Sequence, residues 1–177
     1  MPLRDILIYP DPRLKRPSQK VENISDRTVS LVRDLFDTMY AAPGIGLAAP
    51  QIGVAERVMV LDVEYPENRK SPICLVNPEI ILAEGDLPWE EGCLSVAGYT
   101  SIVRRSAYVK VRGIDLAGKE VEIEGEGLLA VALQHEIDHL EGRLFLDRIS
   151  KLKRDLYTKR LLKGTRSGTS EQPDLMI

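Results

Sequence analysis

Hydrophobic positions along this chain alternate between a helical period and a strand-like one. Val29, Val32, Leu35, Phe36 and Met39 recur at three- and four-residue intervals behind Ser25, a residue type that caps helix N-termini, and Pro43-Gly44 follows. That spacing predicts a helix over 26–41. Compact apolar runs at 57–63, 73–77 and 80–82 read as strands. Residues 107–114 alternate apolar and polar, as a half-buried strand does; a turn at 117–119 and renewed alternation over 121–124 complete a hairpin. Leu128, Val131, Ala132, His135 and His139 restore the helical period up to Glu141, and Gly142 lies just past its end. A last helix is expected over about 150–163. Pro2, Pro10, Pro12 and Pro17 make the first twenty residues an extended arm. The polar stretch after Gly164 is expected to fray. Strands and helices without regular alternation, repeats or a linker predict an α+β fold. It is expected to be one domain over 1–164 with a flexible tail over 165–177.

Composition narrows the class. The 177 residues suffice for one substantial core, and 44% hydrophobic with 29% charged residues is ordinary for a globular protein. A net charge of -3 gives no global pull toward DNA or anionic membrane. No apolar run approaches the roughly 20 residues of a membrane span, and the N-terminal stretch lacks the pattern of a secretory signal. Neither DNA nor a membrane is therefore expected as a partner. Cys74 and Cys93 read as reduced thiols of a cytoplasmic protein.

The chemistry is concentrated in Gln134-His135-Glu136-Ile137-Asp138-His139, an H-E-x-x-H carrying the only two histidines. Two histidines four apart on a helix share a face and can grip one metal ion, with the glutamate as general base. A catalytic metal usually takes three protein ligands. No third histidine exists, Phe145 stands six residues after His139, and no glutamate occurs between Glu141 and Glu171. Asp147 and Asp155 lie outside any ligand motif. Upstream, Cys93 in Glu91-Gly92-Cys93-Leu94-Ser95 is favoured, because a thiolate binds transition metals strongly and Gly92 permits close approach. Cys74, inside the apolar run 73–77, is the competitor and reads as a small hydrophobe.

Three stretches together resemble one family. Gly44-Ile45-Gly46-Leu47-Ala48-Ala49-Pro50-Gln51, Glu91-Gly92-Cys93-Leu94-Ser95 and the H-E-x-x-H segment are similar to the three signature motifs of peptide deformylases, in order and in approximate spacing. The resemblance implies removal of the formyl group from formylmethionine at the start of new bacterial or organellar polypeptides, with release of formate. It implies sheets surrounding a central metal-bearing helix, with Cys93, His135 and His139 as ligands. It also implies one divalent ion, Fe²⁺ physiologically, with Zn²⁺, Ni²⁺ or Co²⁺ as substitutes. Gln51 and the Leu94 amide become oxyanion donors, Ile45 and Gly46 backbone contacts to the peptide, and Glu91 with Arg105 a brace for the cysteine loop. Ala97 and the Gly98-Tyr99-Thr100 stretch depart from the residues many relatives carry, which bears on peptide selectivity more than on chemistry.

From the helix period, Leu128, Val131 and Ala132 share the metal face, and with Trp89 and Ile45 they are candidates for an apolar pocket for methionine. Asp138 is expected mostly off that face. Lys151, Lys153, Arg154, Lys159, Arg160 and Lys163 make the last helix basic, a surface for docking on ribosomal RNA or simply a solvated face. The rival readings are a zinc endopeptidase and a metal-binding module without chemistry.

Overall fold

A strand whose every side chain is apolar needs cover on both faces, and the run 58–61 receives it. In this computed structural model, which describes residues 3–164 and Ile177, strand β2 (Val58–Leu61) is buried throughout. It lies second in a five-stranded antiparallel sheet with β1 (Gly46–Ala48), β3 (Ile73–Glu84), β6 (Tyr108–Ile114) and β7 (Glu120–Glu126), in the order β1-β2-β3-β6-β7. Alternate residues serve opposite layers. Val58 and Val60 join the cluster of helix α1 (Asp26–Ala41), with Leu31, Leu35 and Met39. Met59 and Leu61 join that of helix α2 (Gly127–Leu140), with Val131, Leu133 and Ile137. The sheet is thus sandwiched between two helices. A separate hairpin, β4 (Leu87–Cys93) and β5 (Val96–Arg105), packs with the segment after α2 and with helix α3 (Lys151–Gly164) through Val96, Val103, Phe145 and Tyr157. The result is a single-domain α+β fold.

Local chemistry explains the boundaries. Ser25 sits in extended backbone and its N–H donates to Thr28 Oγ1 at 3.3 Å, starting α1 where its side-chain type predicts. The expected strands at 73–77 and 80–82 form one long strand. Asn77, at φ 52, and the adjoining register shifts bend it without ending it. Asn77 is held there by two hydrogen bonds to the main chain of Val21. The spacing did not reveal β1, β4 or β5. The arm is pinned by main-chain bonds, Leu7 N–H to Gln51 and Tyr9 N–H to Ser95, both 2.7 Å, and coils into a 3₁₀ turn at Pro12–Lys15. The expected frayed tail falls outside the described residues except for Ile177.

Helix α2 departs most from its sequence pattern. Every residue from Ala130 to Leu140 is buried, so it has no solvent face. Asp138, expected off the working face, is only 4% exposed, because the β4–β5 hairpin and the segment after α2 cover that side. Gly142 ends the helix at φ +74, where an added Cβ would stand 2.6 Å from the Lys15 carbonyl oxygen. The Gly142→Ala variant is therefore expected to lose roughly 2 kcal/mol. In thermal melts this should lower Tm by roughly 4–8 °C; an unchanged Tm would mean that the arm yields freely.

Candidate metal centre

Two segments far apart in sequence converge on α2. Strand β4 ends in Glu91-Gly92-Cys93, and a register irregularity between Glu91 and Cys93 aims this end at the helix. On α2, His135 and His139 lie one turn apart, as their i, i+4 spacing requires. Their Nε2 atoms are 3.2 Å apart, and Cys93 Sγ lies 3.3 Å from His139 Nε2. All three ligand atoms fall within 4.8 Å of one another and all three residues are buried. One tetrahedral ion with bonds of about 2.0–2.3 Å asks for ligand separations of roughly 3.3–3.6 Å. The constellation fits. Cys74 does not join it: it packs partly buried in the α1 cluster, and burial pushes its thiol up to about 12.

The surrounding groups orient these ligands. His135 Nδ1 meets Glu91 Oε2 at 2.8 Å, which as an N–H donor turns its Nε2 lone pair inward. Glu91 in turn accepts from Arg105 Nε at 2.6 Å and Nη2 at 2.8 Å. Arg105 Nη1 reaches Asp138 at 2.6 Å, and Asp138 also accepts two bonds from Arg148. Burial alone would raise the Glu91 carboxyl, but these partners hold it down to about 2, so it is ionised. Asp138 is lowered in the same way, burial opposing and the two arginines prevailing. The Glu91–Arg105 brace thus extends to Asp138 and Arg148. Sequence reasoning missed Arg148, which stands in no ligand motif, and placed Asp138 mostly off the metal face.

Glu136 is different. Both its carboxylate oxygens are buried with no hydrogen-bond partner among the described residues. Desolvation, and after it the charge of Glu91, raise its pKa well above the ordinary value. Gly46 makes room for it: a Cβ there would stand 2.5 Å from Glu136 Oε1. Burial pushes the Cys93 thiol up and the His139 imidazole down, and His139 Nδ1 is also unpartnered. A buried thiol, two imidazoles and an orphaned carboxylate are polar groups that a divalent cation compensates, since it stabilises the thiolate and the neutral imidazoles together.

Gln51 closes the site from the 44–51 segment. Its Oε1 accepts from the Ala48 N–H at 2.9 Å, which leaves Nε2 to donate to Ser95 Oγ at 3.2 Å and toward Cys93 Sγ at 3.7 Å. Ser95, inside the Glu91–Ser95 stretch, is a further residue the motif reading did not single out. Ile45, Val131 and Ala132 are fully buried, with Trp89 and Leu128 partly buried against the same cluster. The Leu94 N–H reaches the main-chain oxygen of Ile177 at 3.3 Å.

Comparison with known proteins agrees with this geometry. Residues 3–155 match the family model described as polypeptide deformylase. The peptide deformylase of Syntrophobacter fumaroxidans is 48% identical over 170 residues, 96% of this chain and 100% of that protein. That of Phenylobacterium zucineum is 50% identical over 168 residues, 94% of this chain and 99% of that protein. Among solved structures, a peptide deformylase from Legionella pneumophila superposes with a TM-score of 0.87 at 48% identity, covering 93% of this chain and 96% of that one. A peptide deformylase from Ehrlichia chaffeensis in complex with actinonin gives 0.87 at 39%, covering 96% and 100%.

The buried ion network makes a quantitative prediction. Arg105→Met leaves two buried carboxylates short of their counterion and is expected to cost about 3–5 kcal/mol. Adding Glu91→Gln removes one of those charges and should recover at least about 1 kcal/mol. Urea denaturation of the single and double variants checks this, and a double variant no more stable than the single one would contradict it.

Proposed function

The chain belongs to the polypeptide deformylase family, and we propose that Cys93, His135 and His139 hold its metal while Glu136, Gln51 and Leu94 handle the proton and the developing charge. It removes the N-terminal formyl group from formylmethionine of newly synthesised polypeptides and releases formate. The observation that carries the assignment is the convergence of one sulfur and two imidazole nitrogens within 4.8 Å, beside a carboxylate with no hydrogen-bond partner among the described residues.

When bound, the ion supplies Lewis acidity, polarising the formyl oxygen and making water easier to deprotonate. Glu136 takes the proton of the attacking water and returns it to the departing amine. Its raised pKa suits a group that must hold that proton in between. Addition of water to the formyl carbon leaves a negatively charged oxygen. The Gln51 Nε2–H and the Leu94 N–H donate to it. Because the Ala48 N–H fixes Gln51 Oε1, the donating end of the amide faces the site. The C–N bond then breaks, giving formate and a free amine.

The peptide lies along β1, which is an edge of the five-stranded sheet, with Ile45 and Gly46 as main-chain contacts. This is strand addition, in which backbone pairing gives affinity and a side-chain pocket gives specificity. Val131, Ala132, Leu128, Trp89 and Ile45 form the methionine pocket, supported by their shared apolar cluster.

Iron as Fe²⁺ is the physiological metal in this reading; Zn²⁺, Ni²⁺ and Co²⁺ suit the same donors, and affinity alone does not decide occupancy. The enzyme works in the bacterial cytoplasm, on peptides as they leave the ribosome. No helix among the described residues is long and apolar enough to cross a membrane. Exposed Lys151, Lys153, Lys159, Arg160 and Lys163, with half-buried Arg154, present α3 to ribosomal RNA phosphates. The catalytic unit in this reading is residues 1–164.

Formate release from an N-formyl-Met tripeptide, with protein purified anaerobically and loaded with Fe²⁺ or Ni²⁺, tests the activity. Acetylated and unformylated peptides should give none; no release from the formyl peptide by metal-loaded protein would defeat the reading. Glu136→Gln is expected to keep its metal, by elemental analysis, while kcat falls roughly 10²–10⁴-fold. Cys93→Ala should lose the metal, and Cys74→Ala should keep both metal and rate.

A further inference from the structure

Ile177 stands where a substrate residue should. It is 6% exposed and belongs to the same apolar cluster as Ile45, Val131, Ala132, Leu128 and Trp89. Its main-chain oxygen accepts from the Leu94 N–H at 3.3 Å. A bound formylmethionine would make the same pair of contacts: an aliphatic side chain in the pocket and a carbonyl oxygen on the Leu94 donor. Both contacts arise together at one residue, which a chance burial of an isoleucine would not require.

We infer that Ile177 is an intramolecular occupant of the methionine pocket, so that the enzyme competes with its own chain for the peptide site. This rests on the assignment of Leu94 and the pocket residues to substrate binding. The reach is available: helix α3 ends at Gly164, and the twelve residues 165–176 can span up to about 40 Å. The occupant's chemistry matches its site. In the sequence Ile177 follows Leu175-Met176, an apolar run after a polar stretch.

Self-occupancy lowers apparent affinity by the fraction of pockets left open, without touching the chemical step. Ile177→Asp puts a charge on a side chain that must otherwise enter an apolar cluster, and should release it. In the full-length metal-loaded enzyme, KM for an N-formyl-Met tripeptide is expected to fall at least about threefold with kcat unchanged. Ile177→Leu, which keeps an aliphatic group, should behave as the parent. A parallel arm needs no turnover. Trp89 is the only tryptophan, and its fluorescence reports binding of the deformylated product peptide Met-Ala-Ser, which Ile177→Asp should bind at least about threefold more tightly. Equal KM and equal product affinity would overturn the inference, as would a fall in kcat alone, the mark of a merely structural role. A difference that grows with enzyme concentration would place the occupant on another copy and overturn it too. Absence of formate release from every variant would instead remove the deformylase reading, and the fluorescence arm would still decide occupancy.

Discussion

Burial of a polar helix on every side is the constraint from which the rest of this structure follows. Helix α2 carries Gln134, His135, Glu136, Asp138 and His139 within a stretch that has no solvent face. Water cannot solvate these groups, so each needs a partner in the protein or a ligand. Gln134 is satisfied by the main chain of Ser106 and Ala130. Asp138 takes Arg105 and Arg148, and His135 takes Glu91. Arg105 is the pivot, because one guanidinium neutralises both Glu91 on β4 and Asp138 on α2 and so ties the two ligand-bearing elements together.

What is left over after that pairing is the functional remainder. The Glu136 carboxylate and His139 Nδ1 stay without a hydrogen-bond partner among the described residues, in a region where such deficits are costly. A site that binds a cation and moves a proton needs groups of this kind, held in place by neighbours that are themselves satisfied. The stabilising network and the reactive set therefore interleave residue by residue: Glu91 with Cys93 on the strand, Asp138 with His139 on the helix. The same economy shows at Ile177, whose main-chain oxygen takes the Leu94 amide and whose side chain joins the apolar cluster that Trp89 packs against.

Much of this was legible in the residues. The i, i+4 histidines, the glutamate between them and the elimination of later ligands point to Cys93 from the residues alone. Helix α1 and the β6–β7 hairpin followed from periodicity and turn chemistry almost to the residue. Less legible was the β4–β5 hairpin, whose Trp89-Glu90-Glu91 and Thr100-Ser101 carry too many polar groups for an apolar run. Those polar groups are there because the hairpin supplies Glu91 and Arg105 to the interior.

The sequence by itself determined the helices, the β6–β7 hairpin and the candidate metal ligands, because helix spacing, caps and ligand chemistry are properties of neighbours along the chain. Only the tertiary structure decided that Asp138 lies inside, that Glu91 orients His135, and that Ile177 meets Leu94. Those outcomes depend on which segments cover which faces. Burial sets the charge a residue must find, and the partner that supplies it sits 33 positions away for Asp138 and 44 for His135, beyond the reach of any periodicity.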